Sequence, residues 1–220
     1  GLPKYSALIG RPCTTKSNDM NLLPGDGHKS AGAPGLKNAS RAILISPIGQ
    51  IPSWMIKSMA GEMDAIFGFP TRVVPLLDDI SFAHDPDRNQ YHSTPVLERL
   101  ESLAPKESIK VLGITTEDLF IPILTHVYGE AQLGGKACIV SISRLVENTG
   151  ANAFERGGNR IIKEAAHELG HTFDLKHCED ENCLMHYCRG LEDVDRKSRR
   201  FCRYCKILLD DYARELIKVL

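Results

Sequence analysis

Twelve residues, His167 to Cys178 (HELGHTFDLKHC), hold three histidines and a glutamate at a fixed spacing. Because an α-helix repeats every 3.6 residues, His167 and His171 would project from one face and could bind one ion together. His177 lies six residues further on, so a continuing helix would carry it onto a different face. The chain must therefore leave the helix near Asp174 and turn back, and this requirement constrains the fold most.

The same residues predict a catalytic zinc site. Three neutral imidazoles leave a fourth position of zinc open for water, whose pKa the ion lowers to about 7. Glu168 is offset around the helix from His167, which suits a residue that reaches the water rather than the metal. We therefore expect a zinc-dependent hydrolase, a peptidase above all, with Glu168 as its general base. The competing interpretation is an amphipathic helix with ordinary surface histidines.

Composition excludes several other classes. A chain of 220 residues with a net charge of −1 can form one well-buried core, and it lacks the basic surplus of nucleic-acid-binding proteins. No apolar stretch is long enough for a membrane span, and residues 1–10 lack the apolar core of a signal peptide. We expect a soluble, cytoplasmic monomer without a nucleic-acid or membrane partner. Because the chain starts at Gly1 and not at a methionine, the sequence does not exclude a signal peptide that has been removed.

Cysteines cluster just after the third histidine. Five of the seven fall within 28 residues: Cys178, Cys183, Cys188, Cys202 and Cys205. The odd total and the clustering favour metal ligands over disulfides. Cys178, Cys183 and the Cys202-x-x-Cys205 pair predict a closed, structural Cys₄ zinc site, with a redox disulfide as the alternative. Cys188 could compete as a ligand, whereas Cys13 and Cys138 are predicted to be unpaired and Cys138 to lie in the core.

The first part of the chain predicts an alternation of strands and helices. Residues 1–40, rich in Gly, Pro, Ser and Asn, read as an irregular segment, and a single domain follows over 41–220. Apolar runs predict strands at 41–46 and 71–76 around a helix at 51–67. A strand, helix, strand order implies that the two strands are parallel.

The remaining elements are predicted in the same way. Thr94 as N-cap and Pro95 open a helix through about Leu103, and a third strand spans 109–115. Residues 127–132 and 136–143 form a hairpin or two neighbouring strands, the first at the sheet edge. Gly157 to Asn159 lead into the helix that carries the histidines, and a last helix covers 199–220.

The ordered motif His-Glu-x-x-His-x5-His-Cys-x4-Cys-x-Met, followed by Cys-x-x-Cys, resembles the archaemetzincins, a branch of the metzincin metallopeptidases. The segments DPDRNQYHS, ITTEDLFIP and VYGEAQLGG resemble this family too. The resemblance implies an α/β zincin domain with three layers and a twisted, mostly parallel sheet with one antiparallel edge strand. It also implies an active-site helix and a small zinc-stapled C-terminal subdomain at about 174–220.

The resemblance also assigns roles to single residues. A peptide or unfolded-protein substrate would lie extended along the edge strand at 127–132. Met185 would be the Met-turn residue, an apolar floor beneath the metal, and Tyr187 resembles a tyrosine that some metzincins place near zinc. Asp174 replaces the usual glycine, at a cost of roughly 1–2 kcal/mol for a left-handed conformation. Cys188 is extra to the motif.

Three functions thus remain open. The leading one is a peptidase with two zinc ions, one catalytic on His167, His171 and His177 and one structural on the four cysteines. The second is a catalytically weak peptide-binding module that retains both zinc sites, and the third is a zinc hydrolase of non-peptide amides. Glu168 favours catalysis over mere binding. The five other histidines read as surface or capping residues: His28, His84, His92, His126 and His186.

Overall fold

The computed structural model describes residues 41–147 and 153–219. The predicted irregular segment 1–40, with Cys13 and His28, lies outside these residues. Within them, every helix is too short or too polar to cross a bilayer.

The described residues form eight strands and five helices. The strands are β1 (Ile43–Ile48), β2 (Thr71–Val73), β3 (His84–Asp85), β4 (Gln90–His92), β5 (Lys110–Thr115), β6 (Leu119–Phe120), β7 (Gly129–Ala131) and β8 (Ala137–Ser141). The helices are α1 (Ser53–Phe67), α2 (Ser93–Leu103), α3 (Ala153–Thr172), α4 (Leu191–Arg196) and α5 (Arg203–Val219).

The main sheet has the strand order β2-β1-β5-β8-β7. The first four strands run parallel, and β7 pairs antiparallel with β8 at the edge. Alternate residues of β1 face opposite sides, so Ile43 and Ile45 pack with α1 and α3 while Leu44 packs with α2. The predicted fold class, a three-layer α/β domain with one antiparallel edge strand, is therefore confirmed.

Thr94 as the N-cap of α2 was a wrong prediction. The helix begins two residues earlier than predicted, at Ser93, without a side-chain cap. The hydroxyl groups of Ser93 and Thr94 instead donate to the carboxylate of Glu130 on β7, from Thr94 Oγ1 at 2.9 Å. The start of α2 thus holds the edge strand in place.

The lead-in at Gly157 to Asn159 was also a wrong prediction, because α3 already begins at Ala153. Long-range contacts hold this glycine-containing start of the helix. Arg160 forms two hydrogen bonds of 2.7 Å with Asp195, and Lys163 Nζ donates to the carbonyl oxygen of Val194 at 2.8 Å. Both partners belong to α4, which is too short to show an apolar period in the sequence.

The last helix begins at Arg203, four residues later than predicted. The residues before it bond to the loop that follows the histidine motif: Leu184 N–H donates to Arg200 O at 2.8 Å, and Cys202 N–H to Cys183 Sγ at 3.3 Å. The small sheet β3-β4-β6 was missed as well, since its strands have only two or three residues.

Candidate active site

Three imidazoles converge at the C-terminal end of α3. Ligand atoms of His167, His171 and His177 all lie within 4.8 Å of one another, and Nε2 of His167 is 3.2 Å from Nε2 of His171. Tetrahedral zinc with Zn–N bonds of 2.0–2.1 Å would hold two nitrogens about 3.3–3.4 Å apart. The nitrogen positions therefore fit a zinc ion.

The other ring nitrogens are fixed by main-chain carbonyl groups. Nδ1 of His171 lies 2.7 Å from Leu175 O, and Nδ1 of His167 lies 2.9 Å from Leu184 O. Each Nδ1–H donates to its carbonyl, which leaves the Nε2 lone pair for a metal. Sequence reasoning missed these carbonyls because a main-chain group has no signature in residue type.

Burial keeps the imidazoles neutral. It lowers the pKa of His167 well below the usual value and brings the pKa of His171 and of His177 to about 4. At neutral pH each ring is therefore uncharged, with one protonated and one unprotonated nitrogen, which is the state that binds zinc.

The turn after α3 brings the third histidine back. Asp174 adopts a left-handed conformation with φ of 62°. Leu175 N–H donates to Gly170 O at 3.2 Å and Asp174 N–H to His171 O at 3.0 Å, the pair of bonds that ends a helix in a Schellman motif. The predicted turn near Asp174 thus forms, with aspartate in the left-handed position.

A buried lysine on β5 holds the same end of α3. Lys110 Nζ donates to Thr172 O at 2.6 Å and to Gly135 O at 2.7 Å. Burial lowers the pKa of Lys110 to about 8, so the side chain is still cationic at neutral pH and stabilises the terminal carbonyls of the helix. The only indication of this contact in the sequence is a lysine near the start of an otherwise apolar strand.

Glu168 points toward the edge strand. A Cβ at Gly129 would lie 2.6 Å from Cγ of Glu168, so only glycine leaves room for this carboxyl group. Burial, reinforced by Glu164 and Glu130, raises the pKa of Glu168 well above that of an ordinary carboxyl. A glycine within a predicted strand was the signal for a close approach, and sequence reasoning overlooked it.

The outer edge of β7 is oriented to pair with another chain. Ser141 N–H donates to Tyr128 O at 2.8 Å, and Gln132 N–H donates to Ala137 O at 3.1 Å. Because bonding direction alternates along an antiparallel strand, the N–H and C=O groups of Gly129 and Ala131 point away from β8. The open edge therefore runs directly past Glu168.

A pocket of 230 Å³ lies between this edge, α3 and residues 187–189. Its wall includes Glu168, Tyr187, Cys188 and His126, so His126 is more than the ordinary surface residue that the sequence suggested. The Tyr187 ring is 38% exposed and its centroid lies 5.1 Å from that of His177. Tyr187 thus stands at the mouth of the site.

A second cluster holds four sulfur atoms. The Sγ atoms of Cys178, Cys183, Cys202 and Cys205 lie within 4.8 Å of one another. Sγ of Cys178 is 3.7 Å from Sγ of Cys202, far longer than a disulfide bond, whereas tetrahedral zinc with Zn–S bonds of 2.3 Å would separate two sulfurs by about 3.8 Å. No disulfide links the cysteines of the described residues, and the separation fits zinc.

Two other cysteines lie outside this cluster. Cys188 Sγ contacts His186 O at 3.6 Å and is not among the four sulfurs that lie together. Cys138 is fully buried in β8. Cys188 therefore lies outside the candidate metal site, and Cys138 packs in the core as predicted.

Met185 packs beneath α3. Its side chain is fully buried, and its carbonyl oxygen accepts a hydrogen bond of 2.9 Å from Cys178 N–H. A Cβ at Gly170 would lie 2.6 Å from Sδ of Met185, so this glycine lets the helix and Met185 approach. The loop with Met185 is thus joined both to the zinc-binding helix and to the sulfur cluster.

We expect Gly170→Ala to lower the free energy of unfolding by about 1–3 kcal/mol, because the new methyl group overpacks the contact with Met185. Gly158→Ala is the matched control in the same helix, since a Cβ there meets nothing within 4 Å. Alanine should stabilise that position by up to about 1 kcal/mol. Chemical denaturation of both variants measures the difference, and equal effects would contradict the close contact.

Comparisons with known proteins agree with this geometry. Residues 74–211 match the model of peptidase family M54. The archaemetzincin of Archaeoglobus fulgidus is 37% identical over 164 residues, which cover 74% of this chain and 95% of that protein. The crystal structure of archaemetzincin from Methanopyrus kandleri superposes with a TM-score of 0.70 at 32% identity, covering 81% of this chain and 98% of that one. A zinc-dependent peptidase from Methanocorpusculum labreanum gives 0.68 at 28% identity, covering 76% and 99%.

Proposed function

Because this chain belongs to peptidase family M54 and is a zinc metallopeptidase, we propose that it hydrolyses peptide bonds in a site where His167, His171 and His177 hold the zinc ion and Glu168 is the general base. The observation that carries the proposal is the convergence of three imidazoles, with the Nδ1 atoms of His167 and His171 bonded to main-chain carbonyls so that their Nε2 atoms face the common centre. Glu168 follows the first ligand directly and is 7% exposed.

Zinc in such a site supplies a Lewis acid that polarises the scissile carbonyl and makes a water nucleophilic near neutral pH. The carboxylate of Glu168 accepts the proton of the attacking water and then delivers it to the leaving amine. Proton transfer of this kind contributes roughly 10²–10⁴-fold to the rate.

The substrate is a peptide or an unfolded protein segment in extended conformation. The outward N–H and C=O groups of Gly129 and Ala131 give it main-chain partners, so that the substrate adds a strand to the sheet. Since Gly129 has no side chain, the scissile bond can approach Glu168 without obstruction. The edge strand and the general base therefore act on the same stretch of substrate.

A second zinc ion binds the four cysteines. With four thiolates it has no open position, so its role is to stabilise the structure. It joins the loop at Cys178 and Cys183 to the start of α5 at Cys202 and Cys205. Met185 forms an apolar floor within this loop, and Tyr187 borders the substrate beside His177.

Metal removal tests the catalytic proposal. We expect a strong chelator to abolish the cleavage of a peptide library, and stoichiometric zinc to restore it, because the three imidazoles alone cannot polarise the scissile carbonyl. Mass spectrometry of the products measures cleavage. Full activity in a chelated sample, with metal content verified to be negligible, would contradict the proposal. Zinc-loaded protein that binds peptides without cutting them would instead favour the binding-module alternative.

A further inference from the structure

The pocket beside Glu168 has a charged residue in its wall that the mechanism does not use. Glu164 lies one helical turn before Glu168 on α3 and lines the pocket, with 4% of its surface exposed. Tyr128 and Cys188 flank it in the same pocket. An ionisable group buried to this extent is costly unless its charge is compensated.

Lys197 compensates this charge from behind. Its ammonium Nζ lies 2.7 Å from Oε1 of Glu164, and its side chain is fully buried and does not line the pocket. Burial works to lower the pKa of Lys197, but the neighbouring Glu164 and Cys188 outweigh it and raise the pKa. The wall of the pocket thus includes the carboxylate of Glu164, and the net charge of the Glu164–Lys197 pair is zero.

The ion pair leaves hydrogen-bonding capacity unused. Oε1 of Glu164 is sealed against Lys197 Nζ, so a ligand in the pocket can reach only Oε2, which accepts no hydrogen bond from the described residues. A carboxylate has lone pairs for about four hydrogen bonds. A ligand that donates a hydrogen bond to Glu164 would therefore satisfy a group that the protein alone leaves unsatisfied.

We propose that Glu164 makes this pocket selective for a neutral side chain ending in a hydrogen-bond donor, such as glutamine, asparagine, serine or threonine. An aliphatic side chain would bury the carboxylate without a new partner, which disfavours it. A cationic side chain would place an uncompensated charge near Lys197 and the metal. An anionic side chain would face Glu164, and Arg189, the cation in the pocket wall, is exposed to solvent, where an ion pair contributes little. Only a neutral donor satisfies the pocket without adding charge.

The inference rests on the proposed function, which also defines the substrate position. Glu168 delivers a proton to the leaving amine, so the residue that supplies that amine lies beside Glu168. The side chain of this residue enters the pocket that Glu164 and Glu168 share. The selected residue is thus the first one after the scissile bond.

Four peptides that differ only at this residue test the inference: glutamine, leucine, lysine or glutamate. For zinc-loaded wild-type protein we expect kcat/KM for the glutamine peptide to exceed the other three by about 10-fold. The double variant Glu164→Leu/Lys197→Met replaces the ion pair with apolar groups of similar size, a change that buried pairs often tolerate. In this variant the leucine peptide should become the best substrate.

A matched control separates selectivity from stability. Arg160 and Asp195 form a second, similarly short ion pair between α3 and α4, but neither lines the pocket. The double variant Arg160→Met/Asp195→Leu should keep the wild-type order of the four peptides. Should the first double variant fail to fold, Glu164→Gln tests the same charge argument: the glutamate peptide should gain relative to the lysine peptide, since Lys197 is then uncompensated.

Each outcome decides one question. A wild-type preference for leucine, lysine or glutamate, or an unchanged order after replacement of the ion pair, would overturn the inference while leaving the proposed function in place. Cleavage of none of the four peptides by zinc-loaded wild type would overturn the proposed function, and the inference with it. Altered order in the Arg160 and Asp195 control would show that general loosening, not Glu164, sets the selectivity.

Discussion

Glu168→Gln should lower kcat/KM by roughly 10²–10⁴-fold while zinc content stays unchanged. Glutamine has nearly the same shape, so the packing against Gly129 survives. Its amide cannot accept a proton from water, and the attack then depends on bulk base alone. The expected change is therefore in the chemical step, with little change in the folded structure.

Steady-state kinetics and metal analysis on the same sample measure both quantities. Glu155→Gln serves as the control, because Glu155 is an exposed carboxylate on the same helix, far from the pocket lining. Its activity should equal that of wild type. Activity of the Glu168→Gln variant within about threefold of wild type, in a sample free of contaminating protease, would disprove its role as general base.

Cys202→Ala should release one zinc ion per chain. Of the variants proposed, it should lower the free energy of unfolding most. A structural zinc site contributes its binding free energy to folding, so we expect the free energy of unfolding to fall by several kcal/mol, on the order of half the roughly 10 kcal/mol of an isolated zinc finger. The remaining three sulfurs are too few for a closed site. Metal analysis and thermal unfolding check this result.

Two further variants complete the metal experiment. His171→Ala should also reduce the zinc content from two ions to about one, but with loss of activity rather than of the C-terminal fold. Cys188→Ala should keep both ions, because Cys188 lies outside the cluster of four sulfurs. A wild-type content of only one zinc ion would refute the second site.

Sequence could predict the site wherever chemistry depends on residue type and local spacing. His167 and His171 share a helix face by geometry alone, and a turn near Asp174 follows from the position of His177. Its left-handed conformation was implied by the resemblance to the archaemetzincins. The parallel direction of β1 and β2 followed similarly, since a strand, helix, strand sequence leaves little choice of direction.

Long-range packing set the features that sequence reasoning missed. Lys197 meets Glu164 only because α4 folds back on α3, and Lys110 meets Thr172 across 62 positions of the chain. Gly129 is special only because Glu168 lies against it. Such contacts have no local pattern, so neither the composition nor the periodicity of a single segment reveals them.

The loop that is closed by the hydrogen bond from Cys178 N–H to Met185 O is held by residues that are synthesised later than the three histidines. The ribosome synthesises His167, His171 and His177 before Cys202 and Cys205. These two cysteines hold in place the loop that lies between the three histidines and α5. A nascent chain therefore has its three histidines before it has a fixed cleft. With the zinc sites proposed above, the cleft is complete only when the segment with Cys202 and Cys205 has been made.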